Sequence, residues 1–258
     1  MNLLEQTLTD KRAAGQKLLV PYITGGYPAN WPELVERLAE AGADAIEIGI
    51  PFSDPVMDGP TIQESSSLAL AAGVTPAQVF AEAAKIDSPV PLVAMTYYNI
   101  CFRMGQTEFA EQLNSSGFSG AILPDLSLEE SSDWRQTAEA NKIDSILLAA
   151  PTSSDERLAQ IADASSGFVY SVGLVGTTGE RTTLADSALQ IAKRVKQVTD
   201  KPVLVGVGVS SSDQAKQVTS VADGVIVGSA VIRRILDSGS INGAVEFVSQ
   251  IRKALDGS

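Results

Sequence analysis

The chain has 258 residues, of which 44% are hydrophobic and 19% charged, and its formal net charge is -12. This composition is typical of a globular protein with a sizeable core, and the acidic balance argues against nucleic acids and anionic membranes as partners. The absence of histidine excludes Ser–His and Cys–His nucleophilic systems and zinc held by imidazole. Acid–base chemistry must therefore fall to carboxylates, tyrosine or lysine.

The sequence also indicates the compartment in which the protein works. Its single cysteine, Cys101, cannot form an internal disulfide, which fits a reducing environment. The first residues lack a basic segment followed by an apolar one, and no apolar run approaches the length of a membrane span. We therefore expect a soluble, cytoplasmic protein.

Predicted helices and strands alternate along the chain. The first helix covers residues 1–15, precedes every strand and should cover one end of the core. Predicted strands occupy residues 18–24, 43–50, 90–96, 120–124, 145–149, 167–172, 202–206 and 224–227. Further predicted helices occupy residues 31–41, 61–72, 76–85, 106–115, 129–140, 155–164, 185–198, 213–218 and 241–255.

Eight strands alternating with helices predict an α/β fold, a (β/α)8 TIM barrel with an extra N-terminal helix. The alternative is an open doubly wound sheet. That fold usually has fewer strands, and no Gly-x-Gly-x-x-Gly turn follows the first predicted strand here. No linker or change of composition divides the chain, so we expect a single domain over residues 1–258.

Two carboxylates lie close together in the sequence at the second predicted strand. Isoleucines alternate along this strand, and its other face carries Glu47 between the small residues Ala45 and Gly49. Pro51 ends the strand, and a loop rich in turn formers then projects Asp58. An apolar strand tolerates an acid only with a specific partner, so Glu47 is a candidate functional group, with a structural ion pair as the alternative. Asp58 is either a second functional carboxylate or a turn former.

The active site of a TIM barrel lies at the C-terminal ends of its strands. The residues at the predicted ends are Tyr22, Thr24, Glu47, Asp58, Met95, Tyr97, Asn99, Ile122, Asp125, Tyr170, Gly206, Gly208, Gly228 and Ser229. Most are apolar or aromatic, which favours a flat hydrophobic substrate, although any single Tyr or Met could instead belong to the core. No lysine ends a strand, which argues against Schiff-base chemistry.

Glycines after the last two strands predict an anion site. Gly206 and Gly208 follow the seventh strand, Gly228 and Ser229 follow the eighth, and both segments lead into helices. TIM barrels often bind phosphate at these two loops, because glycine lets backbone N–H groups at a helix N-terminus approach the anion. The alternative is a pair of tight turns without a ligand.

Residues 47–55 and 58–63 closely resemble the signature of the tryptophan synthase alpha subunit family. Similar motifs follow in the family's order at residues 20–24, 95–99, 122–125, 176–179 and 227–230. The resemblance implies a TIM-barrel lyase of tryptophan biosynthesis. Its expected reaction is the cleavage of indole-3-glycerol phosphate to indole and glyceraldehyde 3-phosphate by carboxylate acid–base, retro-aldol chemistry.

The resemblance also implies roles for individual residues. Glu47 matches the catalytic acid–base, and Asp58 matches the carboxylate that holds the indole nitrogen. The positions implied for the indole pocket are Tyr22, Met95, Ile122 and Tyr170, and those for the phosphate are Gly179, Gly208, Gly228 and Ser229. Further substrate-binding positions are Tyr97, Thr178 and Gly206.

A partner subunit follows from the same resemblance. It implies an α2β2 complex with the tryptophan synthase beta subunit, which carries pyridoxal phosphate, while this chain needs neither a metal nor an organic cofactor. Pro51, Asp54 and Asn99 match the family's contact surface, although Asp54 could also simply form a turn. Three alternatives remain open: another phosphate-binding barrel enzyme such as a phosphoribosyl isomerase, a free-standing lyase, and a binding barrel without chemistry. The presence of Glu47 and Asp58 argues against the last.

Overall fold

The computed structural model describes residues 1–173, 181–206 and 208–257, with the backbone alone for residues 181–186. Eight parallel strands pair in chain order, and the last pairs with the first to close a barrel. They are β1 (Leu18–Thr24), β2 (Ile46–Gly49), β3 (Leu92–Met95), β4 (Phe118–Ile122), β5 (Asp144–Ala149), β6 (Val169–Val172), β7 (Val203–Gly206) and β8 (Gly224–Val227). The barrel confirms the predicted fold class. β1 and β8 have the predicted bounds, whereas β2 is shorter at both ends.

Helices cover the outside of the barrel and one of its ends. They are α1 (Leu3–Ala13), α2 (Trp31–Glu40), α3 (Pro60–Ala71), α4 (Pro76–Ala83), α5 (Tyr98–Met104), α6 (Gln106–Ser115), α7 (Ser132–Ala140), α8 (Asp155–Ala164), α9 (Arg181–Lys196), α10 (Ser212–Thr219), α11 (Ser229–Ser238) and α12 (Asn242–Asp256). The sequence did not predict α5. Its first backbone N–H, that of Tyr98, donates to Asp125 Oδ1 at 2.8 Å, a residue distant in sequence.

Side chains fill the interior of the barrel. The apolar residues of the interior cluster include Leu18, Val20, Val93, Ile122, Ile146, Leu204 and Ile226 of the strands and Phe168 directly before β6, and none of them is more than 4% exposed. β-Branched and long aliphatic residues dominate this set, as expected for the packed interior of a parallel barrel. Because the middle is full, space for a ligand must lie at an end of the barrel.

α1 covers one end of the core, as predicted, and the structure shows that this is the N-terminal end of the barrel. Leu4 and Leu8 are fully buried and join the interior cluster. A Cβ atom at Gly120 or Gly167 would lie 2.7 or 2.9 Å from Leu4 Cδ2, so both glycines leave space for this side chain. The N-terminal end is therefore plugged, and the C-terminal end is the one left for a site.

Charged groups at the N-terminal end are paired with structural partners. Asp144 Oδ2 accepts a hydrogen bond from the backbone N–H of Glu5 at 3.1 Å, near the start of α1. Asp44 accepts from Lys11 Nζ at 2.6 Å and from Arg252 Nη1 at 3.2 Å. These pairs fasten α1 and α12 to the barrel, and their cations lie at the end opposite to Glu47.

Candidate active site

Glu47 points into the barrel near its C-terminal end. It lies on β2 between Tyr22 of β1 and Val93 of β3, its two neighbours in the strand register. The side chain is 1% exposed, and its Oε2 atom has no hydrogen-bond partner in the part of the chain that the structure describes. Burial, and to a smaller degree the negative charge of Asp58, raise the pKa of Glu47 to about 8. In most molecules of the protein, the Glu47 carboxyl group is therefore protonated at neutral pH.

Asp58 lies on the loop after β2 and is held there by Tyr97. The Tyr97 hydroxyl donates to Asp58 Oδ2 at 3.2 Å and accepts from the backbone N–H of Met57 at 2.8 Å. The Tyr97 ring stacks on Phe52 with ring centroids 5.0 Å apart. Partial burial raises the pKa of Asp58 to about 6, and the hydrogen bond from Tyr97 opposes this rise. Asp58 is thus mostly ionised at neutral pH, in contrast to Glu47.

Two tyrosine rings lie over glycines of the neighbouring strands. A Cβ atom at Gly49 would meet the Tyr22 hydroxyl oxygen at 2.0 Å, and one at Gly206 would meet the Tyr170 hydroxyl oxygen at 2.3 Å. The absence of side chains at these positions lets both rings reach across the mouth of the barrel towards the carboxyl groups. Glu47 and Asp58 accordingly both raise the pKa of Tyr22 and of Tyr170, in addition to the effect of burial.

We expect Gly49→Ala to destabilise the fold and displace Tyr22, because the added methyl group needs the space that the hydroxyl occupies. Overpacking of this kind costs about 1–3 kcal/mol. Urea unfolding measures the change in the free energy of unfolding. The matched control is Gly243→Ala, where the nearest atom to an added Cβ is Arg234 Cβ at 3.9 Å. Equal stabilities of the two variants would contradict the contact between Gly49 and Tyr22.

The remaining predicted indole contacts differ in their exposure. Ile122 is fully buried in the interior cluster, below the open mouth. Met95 is partly exposed and lines a small cavity that it shares with Tyr22, Asp58 and Tyr97. The structure therefore brings most of the predicted indole contacts to one end of the barrel, with Ile122 at the floor.

The predicted phosphate contacts lie only partly within the described residues. Thr178 and Gly179 lie outside them. Gly208 follows β7 with φ +45°, a conformation that glycine adopts readily, and is exposed. Gly228 lies against Tyr22, where an added Cβ would be 3.4 Å from Tyr22 Cβ. Ser229 follows as the first residue of α11, whose N-cap is the side-chain-free Gly228, so an anion can approach this helix N-terminus.

The Tyr170 ring packs directly against Gly206, and a side chain at this position would collide with it. The predicted role of Gly206 in substrate binding stays a prediction.

Of the predicted partner contacts, Asp54 and Asn99 are exposed, whereas Pro51 is buried within the chain. Pro51 thus supports the loop that carries Asp54, and the three partner contacts also stay predictions.

An exposed apolar surface beside Asp54 and Asn99 was not found from the sequence. Val56 is 81% exposed and Met57 55% on the loop after β2, and Phe102 is 68% exposed on α5. Isolated exposed apolar residues are ordinary, but two on the loop after β2 and one on α5, all at the C-terminal end of the barrel, are of the kind found at contact surfaces. The signal in the sequence was Val-Met between the turn formers Pro55 and Asp58.

The described residues contain no group of three or more Cys, Asp or Glu side chains placed to hold a metal ion. Among the same residues, no helix is long and apolar enough to cross a membrane. The titratable groups that the structure places at the mouth are two carboxyl groups and the tyrosines around them.

A closed parallel barrel with a protonated buried acid and an ionised carboxylate at its C-terminal mouth is a TIM-barrel protein equipped for acid–base chemistry. The family model described as "Tryptophan synthase alpha chain" matches residues 8–254 of the sequence. The chain belongs to the tryptophan synthase alpha chain family.

Individual relatives align with this chain along nearly their whole length. The tryptophan synthase alpha chain of Picosynechococcus is 41% identical over 263 residues, which cover 99% of this chain and 100% of the relative. That of Thermobifida fusca is 41% identical over 96% of this chain and 94% of the relative. A crystal structure of tryptophan synthase from M. tuberculosis, in an aminoacrylate-bound form, superposes with a TM-score of 0.89 at 35% identity, covering 99% of this chain and 100% of that chain.

Proposed function

We propose that this chain is the lyase of tryptophan biosynthesis that cleaves indole-3-glycerol phosphate to indole and glyceraldehyde 3-phosphate. Its family membership supports this role. The observation that carries the proposed mechanism is the buried Glu47 carboxyl group beside Asp58 at the barrel mouth, whose Oε2 atom has no hydrogen-bond partner among the described residues. The reaction needs one proton delivered to C3 of the indole ring and one proton removed from the side-chain hydroxyl.

Glu47 performs both proton transfers in this mechanism. As a neutral acid it donates its proton to C3, and the resulting carboxylate accepts the proton of the hydroxyl as the carbon–carbon bond breaks. The electron pair of that bond returns to the indole ring, and the former hydroxyl carbon becomes the aldehyde. Glu47 ends the cycle protonated, so the reaction consumes no net proton. The raised pKa of Glu47 keeps the acid form available near neutral pH.

Asp58 stabilises the charge that the first proton transfer creates. Protonation at C3 places positive charge on the ring nitrogen, and an ionised carboxylate fixed beside it lowers the energy of this intermediate. Tyr97 supplies the fixed position through its hydrogen bond to Asp58. The chemistry is complete with carboxyl groups, so we propose that the chain uses neither a metal nor an organic cofactor.

The mouth of the barrel offers complementary contacts for the two halves of this substrate. Tyr22, Met95 and Tyr170 form apolar and aromatic surfaces for the indole, and Ile122 forms the floor. Gly228 and Ser229 at the start of α11 offer backbone N–H groups to the phosphate. Gly208, Gly179 and Thr178 complete the phosphate end in this proposal. The phosphate is thus bound by local dipoles, in spite of the acidic net charge.

We further propose that the chain is cytoplasmic and joins the tryptophan synthase beta subunit in an α2β2 complex. Pyridoxal phosphate belongs to that subunit, which takes up the indole. The exposed apolar residues Val56, Met57 and Phe102, next to Asp54 and Asn99, support a contact surface at the barrel mouth. Burial of these side chains would shield the exit of the site from water and direct the indole to the partner.

The test is an assay of indole and glyceraldehyde 3-phosphate release from indole-3-glycerol phosphate, with and without added beta subunit. We expect release in both cases and faster release with beta. Release that is equally fast without beta would support a free-standing lyase instead. No release under either condition, from a protein that is folded by circular dichroism, would overturn the proposed function.

The pH dependence of the lyase rate should be bell-shaped. Activity requires Asp58 ionised and Glu47 protonated at the start, so kcat/KM should rise as pH passes about 6 and fall as it passes about 8. Because the two carboxyl groups interact, the limbs report the pair rather than either residue alone. Initial rates in a constant ionic-strength buffer series check this profile. A rate that keeps rising above pH about 8 would contradict the acid role of Glu47.

A further inference from the structure

Asp125 is among the residues predicted at the strand ends, and the proposed mechanism gives it no role. It lies three residues after β4, in a turn that the backbone N–H of Leu126 closes on the Leu123 carbonyl at 3.1 Å. Its Oδ1 atom accepts a hydrogen bond from the backbone N–H of Tyr98 at 2.8 Å. Asp125 is exposed, so packing alone does not account for the position of its carboxylate.

The N–H group that Asp125 binds belongs to the peptide bond directly after Tyr97. Tyr97 is the N-cap residue of α5 and has an extended backbone, and Tyr98 is the first residue of the helix. The first N–H groups of a helix have no partner within the helix, and an oxygen acceptor there fixes its start. The side chain of the N-cap residue gives α5 no such hydrogen bond. Asp125 thus supplies the acceptor from another loop.

The backbone on the other side of Tyr97 is held by the barrel. The N–H of Thr96 donates to the Ile122 carbonyl at 3.1 Å, and the Thr96 hydroxyl donates to the Ile50 carbonyl at 3.3 Å. The backbone before Tyr97 is therefore fixed to β4 and to the end of β2, and the backbone after it is fixed to Asp125. Since Thr96 is buried and Asp125 is exposed, Asp125 is the anchor that can be changed without disturbing the barrel.

The Tyr97 hydroxyl is the group that these anchors position. It donates to Asp58 Oδ2 at 3.2 Å and accepts from the backbone N–H of Met57 at 2.8 Å. Hydrogen bonds from a hydroxyl group to a carboxylate are typically shorter, at about 2.5–2.7 Å. A small displacement of Tyr97 would therefore carry the bond to Asp58 beyond hydrogen-bonding distance.

We propose that Asp125 is a positioning residue for the lyase reaction, because by fixing the start of α5 it holds the Tyr97 hydroxyl against the Asp58 carboxylate. The catalytic meaning of this inference rests on the proposed function, but the hydrogen bond between Tyr97 and Asp58 can be tested without substrate. The carboxylate that stabilises the protonated indole is then held by residues from the loops after two further strands, β3 and β4.

The titration of Asp58 reports this hydrogen bond. The titratable groups near Asp58 are Glu47 on β2, Tyr22 on β1, Tyr97 after β3 and Tyr170 on β6. The hydrogen bond from Tyr97 lowers the pKa of Asp58, so its loss raises that pKa. Removal of the negative charge of Asp125 would act in the opposite direction, because a nearby negative charge disfavours ionisation. The sign of the shift therefore separates the hydrogen bond from a direct effect of charge.

The experiment measures the titration midpoint of Asp58 by ¹³C NMR of the carboxyl carbons in the free protein, with the signal assigned by its loss in Asp58→Asn. In Asp125→Ala we expect the midpoint to rise by about half a pH unit. The kcat for indole release should fall about 3–10-fold with little change in KM, because the charge that Asp58 stabilises develops only after substrate binding.

Two further variants serve as controls. Asp125→Asn keeps an oxygen that can accept from the Tyr98 N–H, and should recover most of the lost kcat and the parent midpoint of Asp58. Asp133→Ala removes an exposed acid from the first turn of α7, and should leave both quantities unchanged.

The Tyr97→Phe background separates the proposed route from a general disturbance of the site. Asp125→Ala should there cause no further rise of the midpoint and no further loss of kcat, because the hydroxyl group that it releases is absent. If Asp125→Ala does not fold by circular dichroism, Asp125→Glu serves instead. Its longer side chain displaces the carboxylate from the Tyr98 N–H, and should shift both quantities in the same direction by a smaller amount.

An unchanged or lowered Asp58 midpoint in the folded variant, or an equal rise in the Tyr97→Phe background, would overturn the inference. Asp125 would then only cap α5. Failure of the proposed function would show separately, as a parent protein that releases no indole although its Asp58 midpoint still responds to Asp125→Ala.

Discussion

Glu47→Gln should abolish the cleavage of indole-3-glycerol phosphate while the barrel stays folded. Glutamine has nearly the same size and fits the same buried position on β2, but it can neither donate a carboxylic proton nor accept one as a carboxylate. General acid–base catalysis by a positioned group typically contributes about 10²–10⁴-fold to a rate, and here one group serves both steps. Steady-state assays give kcat and KM, with circular dichroism as the check on folding. A near-parental rate would refute Glu47 as the proton carrier.

The same substitution should stabilise the protein at alkaline pH. The pKa of Glu47 lies at about 8 in the folded chain, above its ordinary value of 4.5. Below about pH 4.5 the group is protonated in both the folded and the unfolded states, so it carries no penalty. Between about pH 4.5 and 8 the unfolded state releases the proton and the folded state keeps it, so the free energy of unfolding falls; above about pH 8 it falls no further.

Glutamine carries no such penalty. The advantage of Glu47→Gln over the parent should therefore be small near pH 5 and reach a few kcal/mol near pH 8, since each unit of pKa difference is worth about 1.4 kcal/mol. Urea unfolding at both pH values measures this difference. An advantage that does not change with pH would mean that Glu47 is ionised in the folded protein, and would remove the basis for its role as an acid.

The barrel was predictable because its signals are local. Alternating isoleucines marked β2, and turn residues separated each strand from the helix that follows, so the element types emerged from short windows of sequence. The end of the barrel that carries the site followed from the parallel topology, since all strand C-termini meet there. Glu47 could be identified as a candidate because an apolar strand tolerates a carboxylate, here between Ala45 and Gly49, only with a specific partner.

The hydrogen bonds of the site were not predictable, because they join residues that are distant in sequence. Tyr97 reaches Asp58 across 39 positions, and the contact depends on how the loops after β2 and β3 lie against each other. α5 was missed for the same reason, because its N-terminus is capped by Asp125 from the next loop. The burial of Pro51 also depends on its tertiary surroundings. Short-range patterns thus identified the catalytic candidates but not what holds them in place.

Asp58→Asn should cause a large loss of lyase activity, smaller than that of Glu47→Gln. Asparagine keeps an oxygen that can accept the hydrogen bonds from Tyr97 and from the indole nitrogen, so the geometry persists. It loses the negative charge that stabilises the protonated ring, and loss of one such electrostatic interaction costs about 10²–10³-fold in kcat. Because the charge on the ring develops only after substrate binding, kcat should fall much more than KM rises.

Two further variants show whether the charge or the position of Asp58 matters. Tyr97→Phe leaves the carboxylate but removes the hydroxyl that holds it, and should lower kcat less than Asp58→Asn does. Asp87→Asn removes an exposed carboxylate that precedes β3, at the opposite end of the barrel, and should leave both constants unchanged. If Asp58→Asn also keeps the parent kcat, Asp58 is a turn residue, and Glu47 must act without a carboxylate at the ring nitrogen. Among the residues that the structure describes, Asp58 is the one charged group that raises the pKa of Glu47. Its neutralisation should therefore also lower the alkaline limb of the pH profile, which a purely structural turn residue would not do.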